Sequence, residues 1–367
     1  MTNLLYDDDE EALRASVRAL LAAHAPVSGT LARVDGDEPY DRGLWARLAG
    51  QLGAAGLAVP ERHGGAGAGF REVAVVLEEL GRAVAPVPYL GSAGVATRAL
   101  LRCGDAELLG QLAVGRRAAA LAVSVAAGPD APPHAVVVAD GPVLSGTVTG
   151  VADALPVDLL LVPADDGLYA VEADGPGVRM TPVVSLDGTR TLADIVFTGV
   201  PGRRIAAGEA ATRAVTDALV AGAALLASEQ VGVAQWCLDT TVEHVRLRRQ
   251  FGRPIGSFQA VKHRLADVWV EISEARAVAR HAADRLAVDH PDTALAASLA
   301  QAHCAAVAVR AAEACVQLHG GIGFTWEHPA HLYLKRAKSG AVAFGTADRH
   351  RAVLARLADL PGPPPGA

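Results

Sequence analysis

The chain has 367 residues, of which 51% are hydrophobic and 20% charged, and its formal net charge is −7. That length implies two or three packed units, and the balance excludes a disordered chain. An acidic surface without a basic patch interleaved with aromatics excludes nucleic acid as an expected partner.

The N-terminus, MTNLLYDDDEEALR, is acidic where a secretory signal is basic and then apolar. No apolar run uninterrupted by charge reaches the roughly 18 residues of a membrane span, so no membrane contact is expected. From about residue 8 to 117, EEALRASVRALLAAHA, LWARLAGQLGAAGL and FREVAVVLEELGRAVA repeat apolar residues at three- and four-residue spacing and predict helices. Pro60 and the glycines of ERHGGAGAG break the pattern. From about 118 to 207 the texture changes to short runs rich in Val, Leu, Ile and Thr, such as HAVVVAD, VDLLLVPAD and TLADIVFTGV, separated by Gly, Pro and Asp. This predicts an antiparallel β-barrel or sandwich. From 208 onward, long helical patterns are expected near Glu209–Arg249, Ser257–Asp289 and Asp292–His319, with a last helix after Phe344. They predict a C-terminal four-helix bundle, and the tail PGPPPGA is expected to fray. The fold class is therefore α+β, with units at 1–117, 118–207 and 208–367. Cys103, Cys237, Cys304 and Cys315 have no CxxC spacing and read as free thiols of a cytoplasmic protein; no metal site is expected.

Two segments carry candidate chemistry. In Arg248-Arg249-Gln250-Phe251-Gly252-Arg253-Pro254-Ile255-Gly256-Ser257-Phe258-Gln259, a long helix ends at Phe251-Gly252 and Pro254 enforces the break. Ser257 is placed to cap the next helix. Guanidinium groups beside a fresh helix N-terminus suit a diphosphate, although a solvated arginine cluster is the alternative. In Gln317-Leu318-His319-Gly320-Gly321, a helix ends in paired glycines that let backbone approach a ligand while Gln317 hydrogen-bonds it; a plain glycine cap is the alternative.

With these two segments and GLAVPERHGGAGAGFREVAVVLEELGRA, the chain resembles the acyl-CoA dehydrogenase family along nearly its whole length, and is most similar in texture to actinobacterial members. The resemblance implies FAD as cofactor. It implies FAD contacts for Arg248, Phe251, Gln259 and Thr346 of the Gly345-Thr346 pair, and Gln317, Gly320 and Gly321 would touch the FAD of a neighbouring subunit. In the β domain Ser124 offers a hydroxyl to the flavin, whereas the family's Trp-Ile-Thr stretch is replaced by Gly146-Thr147-Val148-Thr149-Gly150-Val151. The implied reaction is α,β-dehydrogenation of an acyl-CoA thioester, with an electron-transfer flavoprotein or similar acceptor.

The family's base is a glutamate immediately before the Gly-Thr pair, and Phe344 stands there. The alternative family position aligns with Gly222. Glu229, seven residues later and about 10 Å further along the same helix face, is the candidate relocated base, with Asp348 behind it; a paired structural carboxylate and a carboxylate favoured by a helix N-terminus are the respective alternatives. Two arrangements follow: a homotetramer with a relocated base, or the FAD-supporting subunit of an α2β2 heteromer whose partner supplies the base. A non-catalytic scaffold and a flavin oxidase or monooxygenase of related fold are the alternatives in other classes.

Overall fold

The computed structural model describes residues 4–360 apart from 35, 37, 39 and 132–135. The tail from Pro361 to Ala367, expected to fray, lies outside the described residues. The N-terminal helices are α1 (Asp8–His24), α2 (Val27–Val34), α3 (Arg42–Trp45), α4 (Phe70–Ala83), α5 (Thr97–Cys103) and α6 (Ala106–Ala113). Side chains set the starts of three of them: at α1 the Glu10 N–H donates to Asp7, and the Asp7 N–H donates back to the Glu10 carboxylate. At α3 and α6, Asp41 accepts from the Leu44 N–H and Asp105 from the Leu108 N–H, satisfying backbone donors that a helix start leaves free. A π-helical run, Leu90–Ala96, leads into α5.

The strands that follow are β1 (Ala119–Leu121), β2 (Val137–Asp140), β3 (Val143–Ala152), β4 (Leu159–Ala164), β5 (Gly167–Glu172), β6 (Val178–Val183), β7 (Leu192–Pro201) and β8 (Arg203–Ala207). They form two four-stranded sheets, ordered β1-β4-β5-β8 and β2-β3-β7-β6. The barrel-or-sandwich expectation thus resolves as two stacked sheets without closure, and β1 pairs with β4 in parallel rather than antiparallel. The first sheet lies between the second and the helices. One face meets Leu144, Ile195 and Phe197, and the other meets α5, α6 and α7, so LLLV and AAL are buried on both sides. The second sheet faces solvent on its outer side, which is why β3 and β7 alternate buried and exposed residues.

The C-terminal region comprises α7 (Gly208–Leu247), a hairpin of β9 (Arg249–Gln250) and β10 (Arg253–Pro254), α8 (Gln259–Ala287), α9 (Thr293–His319), α10 (Ala330–Gly340) and α11 (Ala347–Leu357). At 40 residues, α7 is about 60 Å long and packs on α4, α5, α8 and α9, joining all three units. Its crossing with α4 depends on reciprocal glycines. A Cβ at Gly81 would strike the Glu229 carbonyl, and one at Gly232 would strike the Glu78 carbonyl. Helix α10, absent from the sequence reading, returns the chain to this core through Tyr333, which stacks on Trp236 at 3.6 Å. The regions Gly208–Leu247 and Thr293–Phe324 are long and apolar enough for a membrane span, but most of each is buried against protein, as core helices are.

Candidate cofactor site and catalytic pocket

The two motif segments meet at one end of the bundle. His244, one turn before Arg248, packs its ring 4.4 Å from that of His319, two residues after Gln317. Helix α7 stops at Leu247, earlier than expected, because Arg248 turns extended and its carbonyl accepts from Ile255 across the hairpin. Phe251 and Gly252 form the tip with φ of 53° and 76°, and Phe251 is 90% exposed. Arg253 lies 4.0 Å over the Phe258 ring. Ser257 does not cap α8: its hydroxyl donates to the Pro254 carbonyl at 2.7 Å, and the N-cap is Phe258. Arg248, Gln259, Gln317, Gly320 and Gly321 are all exposed, and Arg248 has no ion pair among the described residues. Gly320 adopts φ 64°, and a Cβ at Gly320 or Gly321 would meet nothing, so the backbone there is open to a ligand.

The other region centres on Phe344. Gln301 donates to the carbonyls of Gly340 and Ala343, each at 2.9 Å, and Gln230 donates to Gly340 at 3.2 Å, fixing the exit of α10. The Phe344 N–H donates to Val125 at 2.8 Å, and its carbonyl lies 3.0 Å from His350 Nε2. Phe344 itself sits at φ 56°, an uncommon conformation for a bulky residue. Thr346 caps α11, its hydroxyl accepting from the Arg349 N–H. The Phe344 ring is pressed onto α7, where a Cβ added at Gly222 would stand 2.5 Å from its Cε1. What is left is a cavity of about 40 Å³, lined by Leu90, Leu121, Val123, Ser124, Asp153 and Phe344 among others. That is room for about three water molecules.

Beside the cavity lies a buried charge cluster. Arg190, just before β7, reaches Glu229 at 2.7 and 3.2 Å, and Arg336 of α10 reaches it at 3.1 Å. Arg336 also binds Asp187 at 2.8 Å, and Asp153 accepts from Tyr40 at 3.0 Å. Burial acts to raise Glu229, but Arg190 and then Arg336 outweigh it and hold the carboxyl below the usual range. A general base needs the opposite shift and a free lone pair. Of the two readings of Glu229, its pairing with Arg190 and Arg336 fits the structural carboxylate rather than the base. Asp348 is no better placed, since its side chain is 91% exposed and pairs with Arg351 at 2.7 Å. Asp153 is raised by burial, yet its oxygens already take Tyr40 and, at 3.3 Å, the Gly91 N–H.

Two family models match: the acyl-CoA dehydrogenase N-terminal domain over residues 7–112 and the C-terminal domain over 212–358. Acyl-CoA dehydrogenase IpdE2 of Mycobacterium tuberculosis (strain ATCC 25618 / H37Rv) is 39% identical over 352 residues, covering 95% of this chain and 96% of that protein. The chain belongs to the acyl-CoA dehydrogenase family. Among solved structures, a chain of the ChsE4-ChsE5 complex from Mycobacterium tuberculosis superposes with a TM-score of 0.86 at 29% identity, over 98% of this chain and 100% of that one. A variant of the Tcur3481-Tcur3483 steroid ACAD gives 0.84 at 32% identity, over 96% and 98%.

As an acyl-CoA dehydrogenase, the chain is an FAD-type oxidoreductase, and its residues can be tested against that cofactor. The diphosphate end is open to it: Arg248 has no ion pair among the described residues, Gln259 and Gln317 are exposed, and the backbone at Gly320 and Gly321 is unobstructed. At the other end the Phe344 ring occupies the space over Gly222. Both family base positions, Gly222 and Phe344, are occupied by a matched hole and knob rather than a carboxylate. The sequence reading noted each position but not their contact; the signal was a glycine inside the alanine-rich run of α7 facing the one aromatic before Gly345. Gln230 and Gln301 were also missed, though each interrupts an apolar helical run.

Proposed function

We propose that this chain is the FAD-supporting, base-less subunit of a heteromeric α2β2 acyl-CoA dehydrogenase. The observation that carries the reading is Phe344 packed into the space above Gly222, which removes the base and closes the acyl pocket together. In this assembly Arg248 would grip the FAD diphosphate with parallel N–H donors, each charge-assisted hydrogen bond contributing about 1.5–3 kcal/mol. The N-terminus of α8, beginning at Gln259, adds positive potential. Gln317, Gly320 and Gly321 would reach the cofactor held by the neighbouring subunit. FAD, when bound, accepts hydride from the β-carbon of the thioester, and a carboxylate on the homologous partner removes the α-proton. The solved relatives support such a pair, since their descriptions name two chains, and one of them names a steroid ACAD. An acyl-CoA with a steroid-derived acyl group, and an electron-transfer flavoprotein or similar acceptor, complete the proposal.

The test is expression of this chain alone and together with a homologous chain bearing glutamate before its Gly-Thr pair. Tight FAD binding and acyl-CoA oxidation are expected only from the co-expressed pair. Full activity from the isolated chain would return the homotetramer.

A further inference from the structure

Three imidazole rings meet where α7, α9 and α10 come together, in a cluster that the cofactor reading does not use. His319, the last residue of α9, is 6% exposed; its ring meets that of His244 on α7 at 4.4 Å and that of His328, just before α10, at 4.3 Å. The hydrogen bonds fix where the protons sit. His319 Nδ1 lies 2.7 Å from the Cys315 carbonyl, which only accepts, so that nitrogen carries a hydrogen. His328 Nδ1 lies 3.2 Å from the Ala330 backbone N–H, which only donates, so that nitrogen carries a lone pair. This N–H begins α10. The preceding Pro329 supplies no side-chain cap, and Ala330 is fully buried, so His328 is the acceptor that α10 starts on.

A second proton has no favourable place in this cluster. From α9, Cys315 faces His319: burial opposes a charge on that ring, but its bonds to Cys315 outweigh burial and raise it. From α7, His244 is lowered by burial and then by the charges of His319 and Arg248. From α10, His331 also faces His328, which burial and then His319, His244 and His331 lower to about 4. His331 in turn meets the Trp326 ring edge-on at 4.9 Å, and Lys335 Nζ sits 4.5 Å over the same ring. A proton on His328 would occupy the lone pair that Ala330 uses and set two charged rings 4.3 Å apart.

We propose that His328 is a positioning residue: its neutral ring latches residues 320–329 onto His319, and its protonation releases them. The latched segment carries Gly320 and Gly321, the open backbone of the diphosphate end, and the exposed side chains of Ile322, Phe324 and Trp326. Its two ends are held differently. Near α9, Gly323 folds back so closely that a Cβ there would strike the Val316 carbonyl, and nothing in that contact titrates. Near α10, the Ala330 bond and the His319 ring hold it, and both depend on the charge of His328. The sign follows. The latched ring lies below its ordinary value of about 6.5, so latching is complete above that range and is lost as pH falls toward about 4. The latch itself does not depend on the proposed assembly. Only its consequence for a neighbour's FAD, through Gly320 and Gly321, rests on that reading.

Hydrogen–deuterium exchange of the full-length chain at pH 7 and pH 5, corrected for the intrinsic pH dependence of exchange, tests this. Residues 320–330 are expected to lose protection on the order of tenfold at the lower pH, while the buried stretch 300–312 of α9 keeps its own. His328→Asn keeps an acceptor, because an asparagine side chain takes the N–H two residues on in an Asx-turn, and it removes the titration. Its residues 320–330 should exchange alike at both pH values. His328→Ala has no acceptor and should be open at both. Equal protection of the parent chain at pH 7 and pH 5 would overturn the proposal, as would a protected segment in His328→Ala. So would an acid-induced opening that persists in His328→Asn, since it would belong to His244, His319 or Cys315 instead.

Discussion

Glu229 holds two buried guanidinium groups, so its removal is a stability experiment rather than a kinetic one. Glu229→Gln keeps the shape but leaves Arg190 and Arg336 undercompensated, and a loss of about 3–5 kcal/mol is expected from urea unfolding. An unchanged midpoint would contradict the pairing. The pH dependence has a definite sign. Because the folded carboxyl lies below its unfolded value, its stabilisation is complete above the ordinary glutamate range near about 4.3. It is lost as pH falls through the lower folded value, and Glu229→Gln should flatten that acid limb. Gly222 gives a second decision. Glycine to alanine inside a free helix stabilises by about 0.8–1.0 kcal/mol. Here the new methyl meets Phe344, so Gly222→Ala should destabilise by about 1–3 kcal/mol, and adding Phe344→Leu should recover most of it. A stabilising Gly222→Ala would mean that the ring does not fill that space.

At the scale of elements, periodicity carried most of the reading. The amphipathic N-terminal helices, the long C-terminal ones and the change to short β-rich runs near residue 118 are all visible as spacing. What spacing does not carry is which distant groups converge. Glu229 interrupts an apolar run, and nothing local says whether it is a base or an ion-pair partner; its arginines lie 39 and 107 residues away. Helix α10 was overlooked because it is short, begins after Pro329 and owes its place to Tyr333 and Arg336 docking on α7 rather than to a strong apolar stripe. Ser257 looked like a cap by type and position, but a 3-10 turn intervenes and spends its hydroxyl on Pro254. The α4–α7 crossing makes its own prediction. Gly232→Ala should lower stability by well over the cost of an ordinary core overpacking, about 1–3 kcal/mol, because the obstacle is the Glu78 carbonyl and not a side chain that can turn. Gly50→Ala, whose Cβ would meet nothing in the helical run Ala46–Gln51, is the control and should not lower the unfolding midpoint.

For the whole molecule, the two ends of the bundle tell different stories. The end with Arg248, Gln259, Gln317 and the paired glycines is exposed and open, as a site completed by another chain would be. The pocket at Phe344 is narrowed from within, by a ring that Gly222 admits and that Gln301 helps hold in place. The motif residues were legible in the sequence because an arginine-rich helix end broken by Phe251-Gly252 and Pro254, and paired glycines after a long helix, stand out locally. The closure was not, because it depends on a contact between α7 and the segment before α11. The central claim is that this chain supports a cofactor for chemistry done with a partner's carboxylate. Its most direct test is the FAD content of the purified chain, alone and co-purified with a homologous carboxylate-bearing subunit, read from the flavin absorbance per assembly. Little bound FAD is expected in the chain alone, with flavin and acyl-CoA oxidation in the pair and loss of both from the pair on Arg248→Ala. Stoichiometric FAD and turnover in the isolated chain would contradict it.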